Sequence, residues 1–417
     1  MKTYKLIIVF IISCLWNKTN AQYKQNAESE IIIGVVDSLY SEALDEYRDY
    51  WVKLPESYNP NRKEIYPVVY LLDGFSLKQN LEVVYNNYWG HYLPHMILVG
   101  ISNRKNRTRD LTTSKIETRR GANFNNETGG AEKFIGFIEK ELIPLIDKTY
   151  KTSSYRTLIG HSYGGLFTVN VFINRPQLFN NYIAIDPSLD WDNKKLLKQA
   201  QAKLENQNYS SKGLFVALAA EQLHMWNKDV TIDNLMEDTS EFTLFPRSII
   251  EFCNIMSSKH DEIGLNFNWK VYPEDLHGTV PLPAMQDGLV SVFNWFQFKN
   301  PQDYNNPETS VEELKQLLKE QEIIYRKNFG YKVPPMVEEL YVGYGQMYAQ
   351  TGQSDKMKLF LNEAIHHYPN SLMAYDLLIE HYESVENKEQ TIKYLTLLHK
   401  VNGDEQLLKR IEQLKNE

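Results

Sequence analysis

The eleven residues 157–167, TLIGHSYGGLF, decide the fold class of this chain. An apolar strand pattern runs into Gly160-His161-Ser162-Tyr163-Gly164, and a helical pattern starts directly after it. A serine at a tight strand-to-helix turn is the nucleophile elbow of α/β-hydrolases. Such a turn leaves no room for a Cβ at positions 160 and 164, which explains the glycines. The stretch predicts that Ser162 is a nucleophile held at the N-terminus of a helix, where the helix dipole favours developing negative charge.

The remainder of the first 300 residues predicts the sheet around this elbow. Apolar runs bounded by turn residues predict strands at 47–54, 66–72, 95–101, 157–160, 181–185, 213–219 and 266–272. Helical patterns lie between several of them, for example at 131–148 and 165–174. Strands that alternate with helices favour a mainly parallel sheet covered on both faces. We therefore predict an α/β-hydrolase domain over residues 22–300.

A serine hydroxyl needs an adjacent base and a carboxylate that orients it. In this fold the order along the chain is nucleophile, acid, histidine. Of the histidines before residue 300, His277 alone follows the last predicted strand. Glu221 comes directly after the apolar run 213–220 and is the predicted acid, with Asp229 as its main competitor. The sequence thus predicts a Ser162–His277–Glu221 triad.

Acyl transfer also requires hydrogen-bond donors for the oxyanion. One predicted donor is the backbone N–H of Tyr163, the residue after the nucleophile. The other is expected from the loop after the strand 66–72, at Gly74 or Phe75, with the Phe75 amide favoured. Asp-Gly at 73–74 is equally typical of a plain tight turn.

Longer stretches resemble a known family. The quoted segments are 130–134 (GAEKF), 141–144 (ELIP), 157–167, 51–55 (WVKLP), 70–74 (YLLDG), 186–189 (DPSL) and 277–281 (HGTVP). Together they closely resemble the bacterial putative-esterase family, which includes esterase D-like and enterochelin esterase-like hydrolases. The likeness runs from about Ile31 to Phe298. It implies a serine–acid–histidine hydrolase without metal or other cofactor, acting on carboxylic esters such as simple acyl esters, sugar esters, thioesters or siderophore lactones.

Several residues are candidates for substrate contact. Asp186 stands where the family commonly has serine, and the aromatic pair that follows is reduced to Asp190-Trp191, so both positions bear on substrate choice. The full set of candidates is Asp73, His161, Asp186, Trp191, His224, Trp226, Arg107 and Arg109. Several of them have a structural alternative. The two arginines would form an internal ion pair with Asp110 or lie in a solvated loop, and His161, His224 and Trp226 would serve packing.

The last quarter of the chain is predicted to be a separate helical domain. Residues 301–309 have the composition of a linker. Ser310 and Glu313 form a capping-box pattern that opens a helix, and Gly330 is placed to close it. From about residue 338 a period near 34 residues is typical of tetratricopeptide repeats, so residues 310–417 are predicted to be an all-α TPR-like domain. Such helices could bind a protein partner or form a dimer contact.

The N-terminus predicts export. Two lysines, ten mostly apolar residues and a small-residue cleavage site predict a signal peptide over residues 1–21, which leaves no transmembrane helix in the mature chain. A lipid anchor at Cys14 is the alternative. The expected location is the periplasm or the outside of the cell. Scattered histidines and two cysteines give no metal-site spacing, and a net charge of −8 without a basic cluster argues against nucleic-acid binding.

The sequence as a whole predicts an exported serine carboxylic-ester hydrolase that acts on a small-molecule ester. One alternative is a serine peptidase, since the same triad cleaves amides. A second is a binding or scaffold protein in which the hydrolase fold is catalytically idle and the C-terminal helices dock a partner.

Overall fold

A single eight-stranded sheet forms the framework of the first 300 residues. The computed structural model describes residues 34–119, 121–204, 208–224 and 227–416, so the predicted signal peptide and Trp226 lie outside the described residues. The strands are β1 (Val35–Ser41), β2 (Glu46–Lys53), β3 (Tyr66–Leu71), β4 (Ile97–Ile101), β7 (Thr152–His161), β8 (Asn181–Ile185), β9 (Gly213–Ala219) and β10 (Asn266–Tyr272), with a separate hairpin of β5 (Thr118–Arg119) and β6 (Ala122–Asn123). Their order in the sheet is β1-β2-β4-β3-β7-β8-β9-β10.

The sheet is mainly parallel, as the sequence predicts. The first two strands pair antiparallel with their neighbours, and every pair from β4 to β10 is parallel. The seven predicted strands are all present, although the run at 157–160 is the end of a longer strand that begins at Thr152. The sequence analysis missed β1 and the β5–β6 hairpin. Most side chains of β1 are exposed, so it lacks the apolar pattern that marks the buried strands.

Helices cover both faces of the sheet, which gives the chain two buried layers. They are α1 (Gly74–Tyr88), α2 (Arg107–Leu111), α3 (Ala131–Phe137), α4 (Ile143–Thr149), α5 (Tyr163–Asn174), α6 (Trp191–Leu204), α7 (Leu244–Lys259) and α8 (Pro281–Val292). A π-helical turn, Ile138–Leu142, joins α3 to α4. One face packs Tyr70 and Leu158 against Phe167 of α5, and the other packs Val69 and Ile159 with Leu289 of α8. This is the predicted α/β-hydrolase architecture.

The predicted all-α region follows. Its helices are α9 (Pro301–Asn305), α10 (Val311–Phe329), α11 (Glu338–Gln350), α12 (Ser354–His367), α13 (Leu372–Ser384), α14 (Lys388–Asn402) and α15 (Glu405–Asn416). The capping box of α10 is confirmed, since the Ser310 side chain accepts from the Glu313 amide and the Glu313 carboxylate accepts from the Ser310 amide. Gly330 ends the helix at φ 80°. Consecutive helices pack together around a third core. Its assignment to the tetratricopeptide repeats stays a prediction.

Helix α10 belongs to the hydrolase core as well as to the helical region. Tyr325 stacks on Phe296 with ring centroids 4.6 Å apart, and its hydroxyl donates to the Phe296 carbonyl at 2.8 Å. Phe329 packs edge-on against Trp295 at 4.8 Å. From Gly34 onward the chain accordingly forms one compact unit. Among the described residues no helix is both long and apolar enough to cross a membrane.

A close approach between β4 and β2 connects the core to the start of α1. A Cβ built on Gly100 would lie 2.1 Å from the indole of Trp51, so only glycine fits there. Trp51 is 1% exposed and its Nε1 donates to the Gly74 carbonyl at 2.9 Å. The glycine therefore lets the indole hold the first residue of α1.

We expect Gly100→Ala to lower the free energy of unfolding by about 1–3 kcal/mol, because the added methyl overpacks a filled core. Urea denaturation followed by circular dichroism measures the effect. Gly343→Ala is the matched control, since a Cβ on Gly343 in α11 meets no atom within 4 Å and alanine favours a helix. Equal stability of the two variants would contradict the packing argument.

Candidate active site

The predicted nucleophile elbow is present at the carboxyl end of β7. Ser162 has φ 61° and ψ −114°, a strained conformation for a residue other than glycine. Its amide donates to the Ile185 carbonyl at 2.9 Å, which fixes the turn to the neighbouring strand β8. A Cβ on Gly160 would lie 2.2 Å from the Gly164 carbonyl oxygen. The tight turn thus explains the glycine at position 160 and presents Ser162 at the first turn of α5. The same expectation is wrong for Gly164, where a Cβ would meet its nearest atoms at an ordinary 3.6 Å.

His277 reaches back over the sheet from the loop after β10. Its Nδ1 lies 2.5 Å from Oδ2 of Asp186, the residue that follows β8. Asp186 is 1% exposed, and its other oxygen, Oδ1, accepts from the Ala219 amide at 3.1 Å. The amide of Asp186 in turn donates to the Ala217 carbonyl at 2.9 Å. The carboxylate is therefore fixed between two strands and oriented toward the imidazole.

The expectation that Glu221 is the acid is wrong in this structure. Glu221 follows β9 as predicted, but its side chain is exposed and the carboxylate bonded to His277 is that of Asp186. The order of Ser162, Asp186 and His277 along the chain still matches the expected order of nucleophile, acid and histidine, with the carboxylate one strand earlier than predicted. Asp186 has φ 44°, a left-handed conformation that aspartate tolerates better than most residues. Its position directly after a fully buried strand was the signal available in the sequence.

Burial dominates the electrostatics of both groups beside His277. It raises the pKa of Asp186 above its ordinary value, against the opposing effects of His277 and the Ala219 amide. The pKa of His161 is lowered to about 3, mainly by burial and in the same direction by the nearby His277 and Arg107. His161 is thus neutral at physiological pH, and its ring lies 4.5 Å from that of His277. It packs against the imidazole, one of the two roles expected for it.

Two helix starts provide the predicted oxyanion donors. Tyr163 is the first residue of α5, and Gly74 and Phe75 are the first residues of α1. Asp73 precedes α1 at φ 51°, and its carbonyl accepts from the Ser76 and Leu77 amides. The first amides of a helix have no acceptor within that helix. The amides of Tyr163 and Phe75 therefore suit the oxyanion role, which stays a prediction.

Arg107 braces the two helix starts against each other. Its Nε and one terminal nitrogen bind the two Asp73 carboxylate oxygens at 2.9 and 2.8 Å, and the same terminal nitrogen donates to the His161 carbonyl at 3.1 Å. The guanidinium lies over the Tyr163 ring, 5.3 Å from its centroid. Arg107 thus pairs with Asp73 rather than with Asp110. Arg107 and Asp73 also both line the cavity beside the elbow, so their contact with substrate stays a prediction.

The second arginine is also internal. Arg109 binds the buried carboxylate of Asp110 at 2.8 Å and that of Glu46 at 2.7 Å. This matches the structural alternative stated for it. The charge of Arg109 is thereby already compensated inside the protein.

The remaining candidates mostly serve packing. Trp191 is 2% exposed, its Nε1 donates to the Ser114 carbonyl, and its ring meets that of Tyr163 edge-on at 5.4 Å. His224 packs against Phe242 at 5.3 Å and its Nδ1 accepts from the Asn227 amide. Trp226 lies outside the described residues.

Sequence reasoning missed Arg119, on the β5–β6 hairpin. Its guanidinium bonds to the Tyr163 hydroxyl and to the Asp190 carboxylate, and lies 5.1 and 5.2 Å from the rings of Tyr163 and Trp191. No motif marks this arginine, because the three residues that its guanidinium contacts, Tyr163, Asp190 and Trp191, all lie more than forty positions away along the chain. It fixes the aromatic ring of the residue after the nucleophile.

A cavity of about 370 Å³ borders the elbow and the start of α1. Its lining includes Phe75, Asn103, Arg104, Arg107 and His161. On the other side, the Phe245 ring of α7 meets the His277 ring at 5.6 Å. The His277 side chain is 49% exposed, so solutes can reach it. In the described part of the chain no three His, Cys, Asp or Glu side chains are grouped to hold a metal ion.

Comparisons with known proteins agree with this geometry. Residues 41–242 match the sequence model of the family described as putative esterase. The ferri-bacillibactin esterase of Bacillus subtilis is 29% identical over 233 residues, which cover 52% of this chain and 81% of that protein. The siderophore enterobactin esterase of Emericella nidulans is 27% identical over 174 residues, or 40% of this chain and 57% of that protein.

A solved structure extends the similarity beyond the sheet. An IroE-like serine hydrolase from Shewanella oneidensis is 27% identical with a TM-score of 0.63, and the match covers 80% of this chain and 99% of that one. The sheet, the elbow with its histidine and carboxylate, and these similarities agree. Residues 41–242 of this chain are thus similar to the putative esterase family, and the relatives that are named esterases support a carboxylic-ester hydrolase.

Proposed function

We propose that this chain hydrolyses carboxylic esters with Ser162 as nucleophile, His277 as base and Asp186 as the acid that orients the base. The observation that carries the proposal is the 2.5 Å contact between His277 Nδ1 and the buried Asp186 carboxylate. That contact occupies Nδ1 and leaves Nε2 as the nitrogen that accepts the serine proton. The strained backbone of Ser162 supports its role as the attacking group.

The reaction follows from these groups. Ser162 Oγ attacks the ester carbonyl carbon while His277 Nε2 takes its proton, and the Asp186 carboxylate stabilises the imidazolium. The amides of Tyr163 and Phe75 donate to the oxyanion of the tetrahedral intermediate. The imidazolium then protonates the leaving alcohol, and an acyl-enzyme remains on Ser162. A water molecule, deprotonated by His277, cleaves the acyl-enzyme through the same oxyanion site.

Arg107 is a positioning residue in this proposal. By binding both the Asp73 carboxylate and the His161 carbonyl, it keeps the start of α1 and the elbow at a fixed separation. The two oxyanion donors lie one on each side of that brace. Their joint alignment depends on it, because hydrogen-bond stabilisation of an oxyanion is sensitive to small displacements.

The substrate class we propose is the siderophore esters. The support comes from the names of the relatives, two of which are siderophore esterases, and from the openness of the site around the half-exposed His277. Arg104, exposed at the cavity beside Phe75, adds positive charge where such a polyfunctional ester would enter. Export, inferred from residues 1–21, completes the proposal because it would bring the enzyme to extracellular or periplasmic ligands.

Replacing the nucleophile tests the reaction. Ser162→Ala should lower the turnover of p-nitrophenyl esters from C2 to C8 by on the order of 10⁶-fold, since catalysis by the triad requires its nucleophile. Enterobactin hydrolysis, followed by liquid chromatography, should fall in parallel. Wild-type protein that cleaves the short esters but leaves enterobactin intact would keep the esterase and reject the siderophore class. Activity that persists in the variant would reject the mechanism.

Replacing each candidate acid tests the assignment of Asp186. Asp186→Asn should lower kcat by about 10³–10⁴-fold with little change in KM, because the amide keeps the shape but cannot stabilise the imidazolium. Glu221→Gln, at the exposed position, is the matched control and should stay within about twofold of wild type. Circular dichroism and urea denaturation check that both variants fold. The reverse ranking would return the acid role to Glu221.

The location is tested by processing of the full-length chain in a Gram-negative host. N-terminal sequencing of the periplasmic protein should give Gln22 as the first residue, and Cys14→Ser should leave processing unchanged. A mature protein that begins at a lipid-modified Cys14 and is lost in Cys14→Ser would instead establish the lipoprotein alternative. Retention of residues 1–21 on cytoplasmic protein would refute export.

A further inference from the structure

A second, partly open cavity lies where the sheet domain meets the C-terminal helices. We call it the junction cavity. It is lined by the loop before β3, by the segment around His95, by Phe296, by the end of α10 and by the connector 330–337. Its volume is about 320 Å³, twice that of an engineered apolar cavity of about 150 Å³ that binds benzene. None of its lining residues lines the cavity beside Ser162.

The walls of the junction cavity are aromatic and fixed. Rings and prolines dominate them, including Tyr66, Pro94, Phe296, Tyr325, Phe329 and Pro335. The hydrogen bond from the Tyr325 hydroxyl to the Phe296 carbonyl, at 2.8 Å, ties the two sides together. The Tyr368 hydroxyl donates to the Met336 carbonyl at 3.0 Å and fixes the connector. These two hydrogen bonds hold the Tyr325 and Tyr368 side chains in place at the wall.

The backbone of Gly90 also borders the empty space of the junction cavity. Gly90 lines the junction cavity, and a Cβ built on it would meet no atom within 4 Å. Its amide is bonded to the Leu93 carbonyl at 2.8 Å, so the turn that carries it is formed. A gap of this size between well-ordered elements forfeits packing energy unless something fills it.

Two polar atoms of the wall indicate the hydrogen-bonding character of the occupant. Arg62 Nε and Glu64 Oε2 are buried, and within the described residues neither has a hydrogen-bond partner. By contrast, the Ser57 hydroxyl and His95 Nδ1 satisfy each other at 2.8 Å. A buried donor and a buried acceptor left unpaired are costly. A ligand that offers one acceptor and one donor would satisfy both, whereas water is poorly held by a wall that is mostly apolar.

The charges around the junction cavity balance. Three cationic and three anionic side chains line it: Arg62, Lys63, Lys332, Glu64, Glu338 and Glu339. Burial lowers the pKa of His95, so this imidazole adds no positive charge at neutral pH. A balanced set of charges favours an uncharged ligand over an anion or a cation.

We infer that the junction cavity is a second binding site, separate from Ser162, for a small uncharged aromatic compound that carries both a hydrogen-bond donor and an acceptor. The rings of the ligand pack between the aromatic and proline walls, its donor binds Glu64, and its acceptor binds Arg62. The two parts of the chain that form the walls are the hydrolase domain and the helical region, so the ligand bridges them.

The test uses 4-hydroxybenzanilide, an uncharged two-ring phenol with an amide and no ester bond, titrated into full-length Ser162→Ala by isothermal titration calorimetry. We expect one site per chain. Adding Glu64→Gln should weaken binding about tenfold, the effect of losing one buried hydrogen bond to a charged acceptor. Adding Val333→Phe, which places a ring in the cavity, should abolish binding. Glu389→Gln on the exposed face of α14 is the matched control and should bind as the parent does.

Each result of the titration either supports the inference or overturns it. Absence of binding at 1 mM probe to the folded parent protein would overturn the inference, as would binding that neither Glu64→Gln nor Val333→Phe alters. Folding of each variant is checked in the background that retains Ser162, where p-nitrophenyl acetate hydrolysis should stay within about twofold of wild type. Because binding is measured without the nucleophile, the result is independent of whether the proposed ester hydrolysis is correct.

Discussion

The hydrogen bond between Asp186 and His277 is the interaction on which the proposed chemistry depends. It joins a carboxylate that is almost completely buried to an imidazole that is half exposed. Keeping a carboxylate in that position requires compensation, which the Ala219 amide and the imidazole supply together. The sheet provides the geometry, because adjacent parallel strands bring the ends of β7 and β8 side by side, and the loop after β10 crosses β9 to meet them.

The parts of the site that the sequence predicts are those determined by local stereochemistry. The elbow at Ser162 follows from a glycine at position 160 that the tight turn requires, and the capping box at Ser310 follows from hydrogen bonds between residues three apart. The histidine could be assigned because one candidate follows the last strand. In each case the determining contacts lie within a few residues of the motif, or in an element whose order along the chain the fold imposes.

The parts that the sequence does not predict depend on contacts between distant segments. Two carboxylates follow adjacent strands, at Asp186 and Glu221, and the choice between them is made by the path of the loop that carries His277. The bracing of the elbow by Arg107 spans more than fifty residues. The left-handed conformation of residues 192–194 at the start of α6 is marked only in part, since aspartate and asparagine tolerate it at 192 and 193 but Lys194 does not announce it.

The aromatic cluster of Phe296, Tyr325 and Phe329 moves the end of the hydrolase domain from before α10 to after it. The composition of the sequence predicts the domain boundary at 301–309. The rings of Tyr325 and Phe329 come after that boundary but belong to the core on one face of the sheet. A fragment that ended at 301–309 would expose this apolar face to solvent. A fragment that ended after Gly330 would keep the face buried. The helical region could therefore be inherited, lost or exchanged as a module only downstream of α10, and any ancestor lacking α10 must have covered this face in another way.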